Sequence, residues 1–409
     1  MVKLRSTTGR LFGIFLAYLP LRFLIYFIAT KWKLPHTNLI ELASEIFICL
    51  AAVWLVATNL RMIWPKLRDW HHWPLVIKLA VALVAWAIVT LSFTTAGASQ
   101  AVRGLRLDFL GLGILVTLWL VPVSDQDQSS LFDLARWGLL FIATTGLLEL
   151  IFGSGYLHVL GFVPYQFFAG KIHQVHGLLP TPNMFGSALV LLVTLLFRQR
   201  SRPNLILLTL LGILVGSSFS RSAWLALSIL GALIFFANLR HGIFTWGVGL
   251  LALGLAGGIG WGTLYYHSGL HTVATHDRSD QQHEVAYKTA LTQDRSAETW
   301  LVGSGIGTAG PATFKSSMPP RIAESWYIQL LQEVGLIGLG LFIALMVVLA
   351  RELLASGEPI LAYATVALSV NALFLHIWAD NRYLSLVFWT LAGLALFSAK
   401  RSKKSGTAA

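Results

Sequence analysis

The chain has 409 residues, of which 56% are hydrophobic and 12% are charged, and its formal net charge is +12 at pH 7. This composition excludes a water-facing surface for most of the chain and favours lipid as its solvent. The positive charges stand between apolar segments and do not gather on one soluble face, which argues against nucleic acid as a partner. The single cysteine excludes a disulfide framework and a thiolate metal cluster within this sequence.

Apolar runs long enough to cross a bilayer recur along the chain, and they are continuous rather than alternating, which predicts helices. We predict an all-α polytopic membrane protein with about 12 transmembrane helices and both termini on one side. In chain order the predicted spans are 11–30, 39–57, 76–95, 104–122, 133–152, 183–198, 204–219, 222–239, 242–266, 325–350, 359–377 and 384–398. No small-residue cleavage site follows the first run, so it is predicted to be an uncleaved anchor.

Lysine and arginine are concentrated in the connections after even-numbered spans and in the C-terminal tail, so the positive-inside rule predicts that these segments and both termini are cytoplasmic. The other connections then lie outside, and two of them are long. The predicted organisation is nine helices in 1–266 with an outer loop at about 153–182, an outer helical subdomain in 267–323, three helices in 324–398 and a cytoplasmic tail in 399–409.

The second outer loop has balanced charges, which is typical of a folded cap rather than a linker. The sequence from Ser279 to Gln282 resembles a capping box that opens a helix over about 280–291. A glycine-rich turn, TWLVGSGIGTAGP, follows it and precedes Glu324, where the chain re-enters the membrane.

Arginines on the outer side are the first candidates for chemistry. Arg221, in SSFSRSAW, stands at an outer turn where the positive-inside rule disfavours it, so we expect it to face a polar cavity; snorkelling to lipid headgroups is the alternative. With Arg278, Arg295 and Arg321 of the outer loop it could clamp a diphosphate without a metal, because guanidinium groups are planar phosphate donors. Surface salt bridges are the alternative for the loop arginines.

The glycines Gly303 and Gly305 are candidate backbone N–H donors to the same anion. Glu324, partly desolvated at the membrane entry, is a candidate general base, or a carboxylate that complements the helix dipole. Glu333 would lie roughly 13 Å deeper on the same helix, where a structural ion pair or a substrate contact is expected.

His376 and Asp380 are four residues apart at the outer end of the eleventh predicted span, and they form a reserve acid/base pair. His173 and His176 lack further ligands, so no metal site and no cofactor is predicted.

These segments together resemble the O-antigen ligase/polymerase family of bacterial membrane glycosyltransferases. The resemblance runs from about residue 177 onward, over GLLPTPNMFGSALV, SFSRSAW, LVGSGIGT and ESWYIQLLQEVGLIGLG. It implies a GT-C-like fold and a metal-independent, inverting transfer of a glycan (O-antigen) from undecaprenyl diphosphate to a hydroxyl of lipid A-core or of another glycan. The reaction would take place on the periplasmic face of the bacterial inner membrane.

The resemblance also implies roles for particular residues. Arg221 and Arg278 match the diphosphate-binding arginines, with Arg295 as a third. Ligases usually have a histidine where this chain has Glu324 and Ser325, which leaves both the base and the choice between ligase and polymerase open. A transporter or flippase of a lipid-linked glycan is the alternative from another class, although repeated halves and discontinuous helices are not evident in the sequence.

Overall fold

The computed structural model of the chain describes residues 4–34, 37–153, 155–159, 166–167, 172–198, 204–237, 277–292, 296–315, 324–380 and 382–397. The first ten helices are α1 Thr7–Lys31, α2 Thr37–Thr58, α3 Leu60–Arg68, α4 Leu75–Thr90, α5 Ala98–Leu120, α6 Asp125–Phe152, α7 Gly155–Val159, α8 Pro182–Arg198, α9 Leu205–Ser217 and α10 Arg221–Ala237. Then follow α11 Asp277–Thr292, α12 Ala297–Val302, α13 Trp326–Ala355, α14 Pro359–Asn371 and α15 Arg382–Leu396. The strands β1 Gln166–Phe167 and β2 Ile172–His173 pair antiparallel in the first outer loop.

Each predicted span that falls on described residues overlaps a helix, although the helices that correspond to 76–95 and 359–377 end at Thr90 and Asn371; the predicted span 242–266 lies outside the described residues. Three described helices, α1, α6 and α13, are long and apolar enough to cross a membrane, and a fourth span is possible if α2 and α3, bent by 86°, count as one. The other apolar helices are shorter, at 10–17 residues. The fold is therefore helical and of membrane type; the number of crossings stays a prediction.

The connections meet at two opposite ends of the helix bundle. At one end the N–H of Val175 donates to the carbonyl of Ser217 at 3.1 Å, and the N–H of Trp326 donates to that of Ala372 at 3.0 Å. All four residues belong to connections or helix ends that the charge pattern assigns to the outer side. We call this end the outer end of the bundle.

The other end holds the segments that are predicted to be cytoplasmic. Arg198, at the end of α8, binds both carboxylate oxygens of Glu358 before α14, each at 2.9 Å. Glu352 accepts a hydrogen bond from the N–H of Val76, and Asp127 accepts two from the backbone at the start of α1. In the described part of the chain, the connections that contact one another therefore belong to the same predicted side.

Helix α13 is broken near its outer end. Gly335 has φ 66° and ψ −169°, a conformation that is essentially restricted to glycine. At the break, carbonyl groups lose the backbone N–H donors that an unbroken membrane helix supplies from its own chain. Ser304 and Gly305 of the glycine turn donate their N–H groups to the carbonyls of Gln332 and Glu333, at 2.8 and 2.9 Å. The indole of Trp86 donates to the third, Val334, at 2.8 Å.

This break corrects one expectation from the sequence, because a discontinuous helix is present. It also joins two motifs that the sequence presents separately. The turn LVGSGIGT fits into the break of the helix that contains E-x-G-x-x-G, so closely that a Cβ on Gly303 would lie 2.3 Å from the carbonyl oxygen of Glu333. The turn also touches α5, since a Cβ on Gly104 would lie 2.8 Å from the Gly307 backbone.

Candidate functional site

Two carboxyl groups at the outer end are near enough for the charge of one to act on the other: Glu324 before α13 and Asp380 before α15. Glu324 is exposed and has φ 50°, a conformation that costs energy for a residue with a side chain. Asp380 is exposed in part, but the protein atoms around its carboxyl group exclude most of the water from it. This desolvation, together with the nearby Glu324 carboxylate, raises the pKa of Asp380 to about 6.

A carboxyl group with this pKa is suited to proton transfer near neutral pH, because it is deprotonated at pH 7 and still basic enough to accept a proton. The tyrosine hydroxyl of Tyr287 on α11 donates to the carbonyl of Leu373 at 3.0 Å, which holds the outer helix next to this pair. Glu324 and Asp380, predicted as the first acid/base group and part of the reserve pair, are thus near enough for their charges to interact.

His376 does not act with Asp380 in the way the spacing suggests. Helix α14 ends at Asn371, so the two residues lie in the following connection and not on one helix face. His376 is buried, with 7% of its surface exposed, and burial lowers its pKa to about 4. The imidazole is therefore neutral at pH 7.

Arg221 is the first residue of α10 and is partly buried. The tight outer turn before it is confirmed: Phe219 has φ 50°, and the indole of Trp224 donates to the carbonyl of Val215 at 2.9 Å. The N–H of Val175 binds the same turn through Ser217. Arg221 therefore begins α10 directly after a turn that the first outer loop contacts through Val175.

The glycine turn does not offer the donors that were expected of it. The N–H of Gly303 donates to the carbonyl of Thr299, that of Gly305 to the carbonyl of Glu333, and that of Gly307 to the Glu333 carboxylate at 3.0 Å. All three groups are used within the protein. The prediction of an anion site on Gly303 and Gly305 is corrected accordingly, and their role is to seal the break in α13.

Glu333 is fully buried, and its carboxylate also accepts the N–H of Ala309 at 3.1 Å. Its carboxyl group lies near that of Asp108 on α5, and two negative charges would repel each other in these buried surroundings. Gln329 donates to Asp108 at 3.1 Å. Of the two expectations for Glu333, its described contacts support the structural one.

Charged groups that were not predicted as a site from the sequence form a second cluster within the helices. The carboxylate of Glu45 on α2 lies 3.0 Å from Arg382, 3.3 Å from Arg106 and 3.9 Å from Arg22. A signal for this cluster was present, because a charged residue inside an apolar span is expected to be paired and functional. We call these four residues the arginine cluster.

The first outer loop is fixed by a buried carboxylate. Glu149, at the outer end of α6, accepts the N–H groups of His176 and Gly177 at 2.9 and 2.6 Å, and lies 2.7 Å from the imidazole of His173. His176 is buried, which lowers its pKa, and its ring is 2.7 Å from the carbonyl of Leu179. Among the described residues no group of three ligands suited to a metal ion is found.

Replacing Glu149 by alanine should loosen this loop, because two buried N–H groups would lose a charged acceptor, at a cost of about 2–3 kcal/mol. Limited proteolysis of the purified protein should then cut between α6 and α8 at least about tenfold faster than in wild type. Asp133→Ala on the same helix is the control and should leave this rate unchanged. An equal rate for Glu149→Ala and wild type would contradict the structural role.

The other predicted site residues are three arginines of the second outer loop. Arg278 is in the first turn of α11, and its side chain is not among those described. Arg295 and Arg321 lie outside the described residues. The predicted helix of this outer segment is confirmed, but it begins at Asp277, so Ser279 lies inside it and is not its cap.

No protein-family model matches the chain, and no curated protein matches it either. The class of protein is therefore inferred from the described helices alone, and their length and apolar composition are those of a membrane protein.

Proposed function

We propose that this chain is a membrane glycosyltransferase that moves a glycan from undecaprenyl diphosphate to a hydroxyl of lipid A-core. The proposal includes twelve spans in a GT-C-like arrangement, a location in the bacterial inner membrane with both termini cytoplasmic, and an active face on the periplasmic side. The observation that carries it is the Glu324 and Asp380 pair at the outer end, where Asp380 has a pKa of about 6.

In this mechanism the carboxylate pair takes the proton of the acceptor hydroxyl as its oxygen attacks the anomeric carbon. The bond between that carbon and the diphosphate oxygen breaks, the configuration inverts, and the electron pair leaves with the diphosphate. Arginines stabilise the charge that develops there, and the resemblance assigns this role to Arg221 and Arg278. No metal or other cofactor is part of the proposal.

The test supplies the purified, reconstituted protein with a glycan on undecaprenyl diphosphate and measures glycan transfer to lipid A-core. Glu324→Gln, Asp380→Asn and Arg221→Ala should each lower the rate by about a hundredfold or more. Glu298→Gln, which changes an exposed carboxylate of the same outer segment, is the matched control. Near-normal transfer by both Glu324→Gln and Asp380→Asn would overturn this mechanism.

The pH dependence gives an independent check on the pair. The base must be deprotonated, so the wild-type rate should be constant above pH 7 and fall as the pH drops through about 6. In Glu324→Gln the neighbouring negative charge is removed, so the pKa of Asp380 should decrease and the residual activity should persist to lower pH. If the acid limb of the pH–rate profile is unchanged in this variant, the charge of Glu324 does not affect the pKa of Asp380.

The same assay distinguishes ligase from polymerase. Transfer only in the presence of lipid A-core indicates a ligase, whereas chain growth without it indicates a polymerase.

A transporter or flippase of a lipid-linked glycan is the second candidate, and the break in α13 at Gly335 favours it. Discontinuous helices commonly form transporter sites at the middle of the membrane. Here Gly335 is the tenth of thirty residues from the outer end of α13, and its freed carbonyls bind the protein's own glycine turn. Movement of the lipid-linked glycan across the bilayer without a change of carrier would support this alternative.

A further inference from the structure

Helix α3, Leu60–Arg68, turns sharply away from the helix before it. The axis of α3 makes an angle of 86° with that of α2, which the sequence predicts as the second span. Asn59 stands at the turn, and its side-chain amide donates to the carbonyl of Leu55 at 2.8 Å, which satisfies one of the last carbonyls of α2. Because its axis is nearly perpendicular to that of a spanning helix, α3 runs along the plane of the membrane.

Contacts with another helix hold α3 at the end of the bundle that is predicted to be cytoplasmic. The ammonium group of Lys66 donates to the carbonyls of Trp119 and Leu120 at the end of α5, at 3.4 and 3.3 Å. Just after α3, the indole of Trp73 donates to the carbonyl of Lys66 at 2.8 Å, and its ring centroid lies 5.0 Å from that of Trp119. Ile63 is fully buried against the protein. One side of α3 is thus fixed to the bundle.

The rest of the α3 surface is divided into an apolar face and a basic border. Leu60 and Trp64 are 49% and 61% exposed, and at 3.6 residues per turn they lie about 40° apart around the helix axis. The exposed side chains of Arg61 and Arg68 lie beside them, within about 60° of Trp64. Met62, which is 61% exposed, lies about 160° away from both apolar residues. Helix α3 therefore has an exposed apolar face that two arginines border.

The segment that contains α3 carries an excess of positive charge. Between residues 59 and 78 there are four lysines and arginines, and Asp69 is the single acidic residue. The Asp69 carboxylate lies 2.7 Å from the imidazole of His72. Within the part of the chain that the structure describes, neither Arg61 nor Arg68 forms an ion pair. These two guanidinium groups are therefore available to an anion outside the protein.

We propose that α3 is an interfacial helix that binds anionic phospholipid. Leu60 and Trp64 enter the acyl-chain region, Met62 faces water, and Arg61 and Arg68 bind the phosphate groups of the lipid. Helices that lie in the membrane interface typically combine an apolar face that contains tryptophan with arginine on the polar face. An anionic surface attracts each arginine, and a membrane without net charge lacks this attraction. A symmetric contact between the α3 helices of two copies would instead bring these arginines together.

A bimane fluorophore reports which face of α3 contacts lipid. It is attached to Leu60→Cys or to Met62→Cys in the full chain with Cys49→Ser, which removes the single cysteine, and the protein is reconstituted in liposomes. A nitroxide on the lipid acyl chain should quench the label at Leu60→Cys at least about threefold more than that at Met62→Cys, and iodide on both sides of the membrane should show the opposite order. Equal or reversed quenching by the nitroxide would overturn the inference. A label at Leu60→Cys protected from both quenchers would also overturn it and would indicate a protein on this face.

The preference for negative charge is measured with the same label at Leu60→Cys. Nitroxide-labelled phosphatidylglycerol should bind about fivefold or more tightly than nitroxide-labelled phosphatidylcholine, and Arg61→Gln combined with Arg68→Gln should remove most of this difference. Both arginines are exposed, so this variant should fold as wild type does. Arg351→Gln, which changes an exposed arginine at the same end of α13, is the matched control and should keep the preference. Equal quenching by the two lipids, or a preference that persists without Arg61 and Arg68, would overturn the inference.

Discussion

Replacing Gly335 by alanine should destabilise the protein by more than about 3 kcal/mol, because two separate costs add. The backbone conformation at this position, φ 66° and ψ −169°, is unfavourable for any residue with a Cβ. The Cβ would also lie 2.3 Å from the carbonyl oxygen of Leu301, a backbone atom that cannot rotate away. The free energy of unfolding by sodium dodecyl sulfate in mixed micelles measures the loss.

Gly340→Ala provides a matched control in the same helix, since no atom lies within 4 Å of the Cβ it would add. This variant should be neutral or more stable by up to about 1 kcal/mol, because alanine favours the helix. Similar stability for the two variants would contradict the fit between the glycine turn and the break in α13.

Replacing Glu45 by alanine should destabilise the protein by about 3–5 kcal/mol, because it leaves three arginines close together without their shared carboxylate. The same unfolding measurement applies. Asp133→Ala, which breaks a more exposed pair with Arg136, should cost about 1 kcal/mol or less. Adding Arg22→Leu to Glu45→Ala should restore part of the loss, since it removes one of the repelling charges. A double variant less stable than the single one would contradict the electrostatic explanation.

The positions of the helices followed from the sequence, and the contacts between them did not. Continuous apolar runs locate membrane helices well because lipid requires every backbone group to be satisfied within the segment. Helix α14 was predicted to reach 377 but ends at Asn371, and the apolar connection that follows it contains exposed Leu373 and Phe374 as well as buried Trp378. Hydrophobicity alone does not distinguish a buried connection from a helix end.

The site was predicted in part, for a related reason. Glu324 and Asp380 were each identified from position, but only the fold brings them close enough to interact. Gly303 and Gly305 were assigned to a ligand because a glycine pattern reveals a special backbone and not what that backbone contacts. Arg22 and Glu45 were overlooked because each is a single charge in an apolar run, and their pairing depends on how α1 packs against α2.

The break in α13 constrains the order in which the chain assembles in the membrane. The outer third of this helix contains Gln329, Gln332 and Glu333, which are buried against the glycine turn and α5. These polar side chains cannot face lipid alone, so this part of α13 can settle only after the turn at 303–310 has crossed to the outer side. The turn at 303–310 thus supplies polar partners that this part of α13 would otherwise lack in lipid.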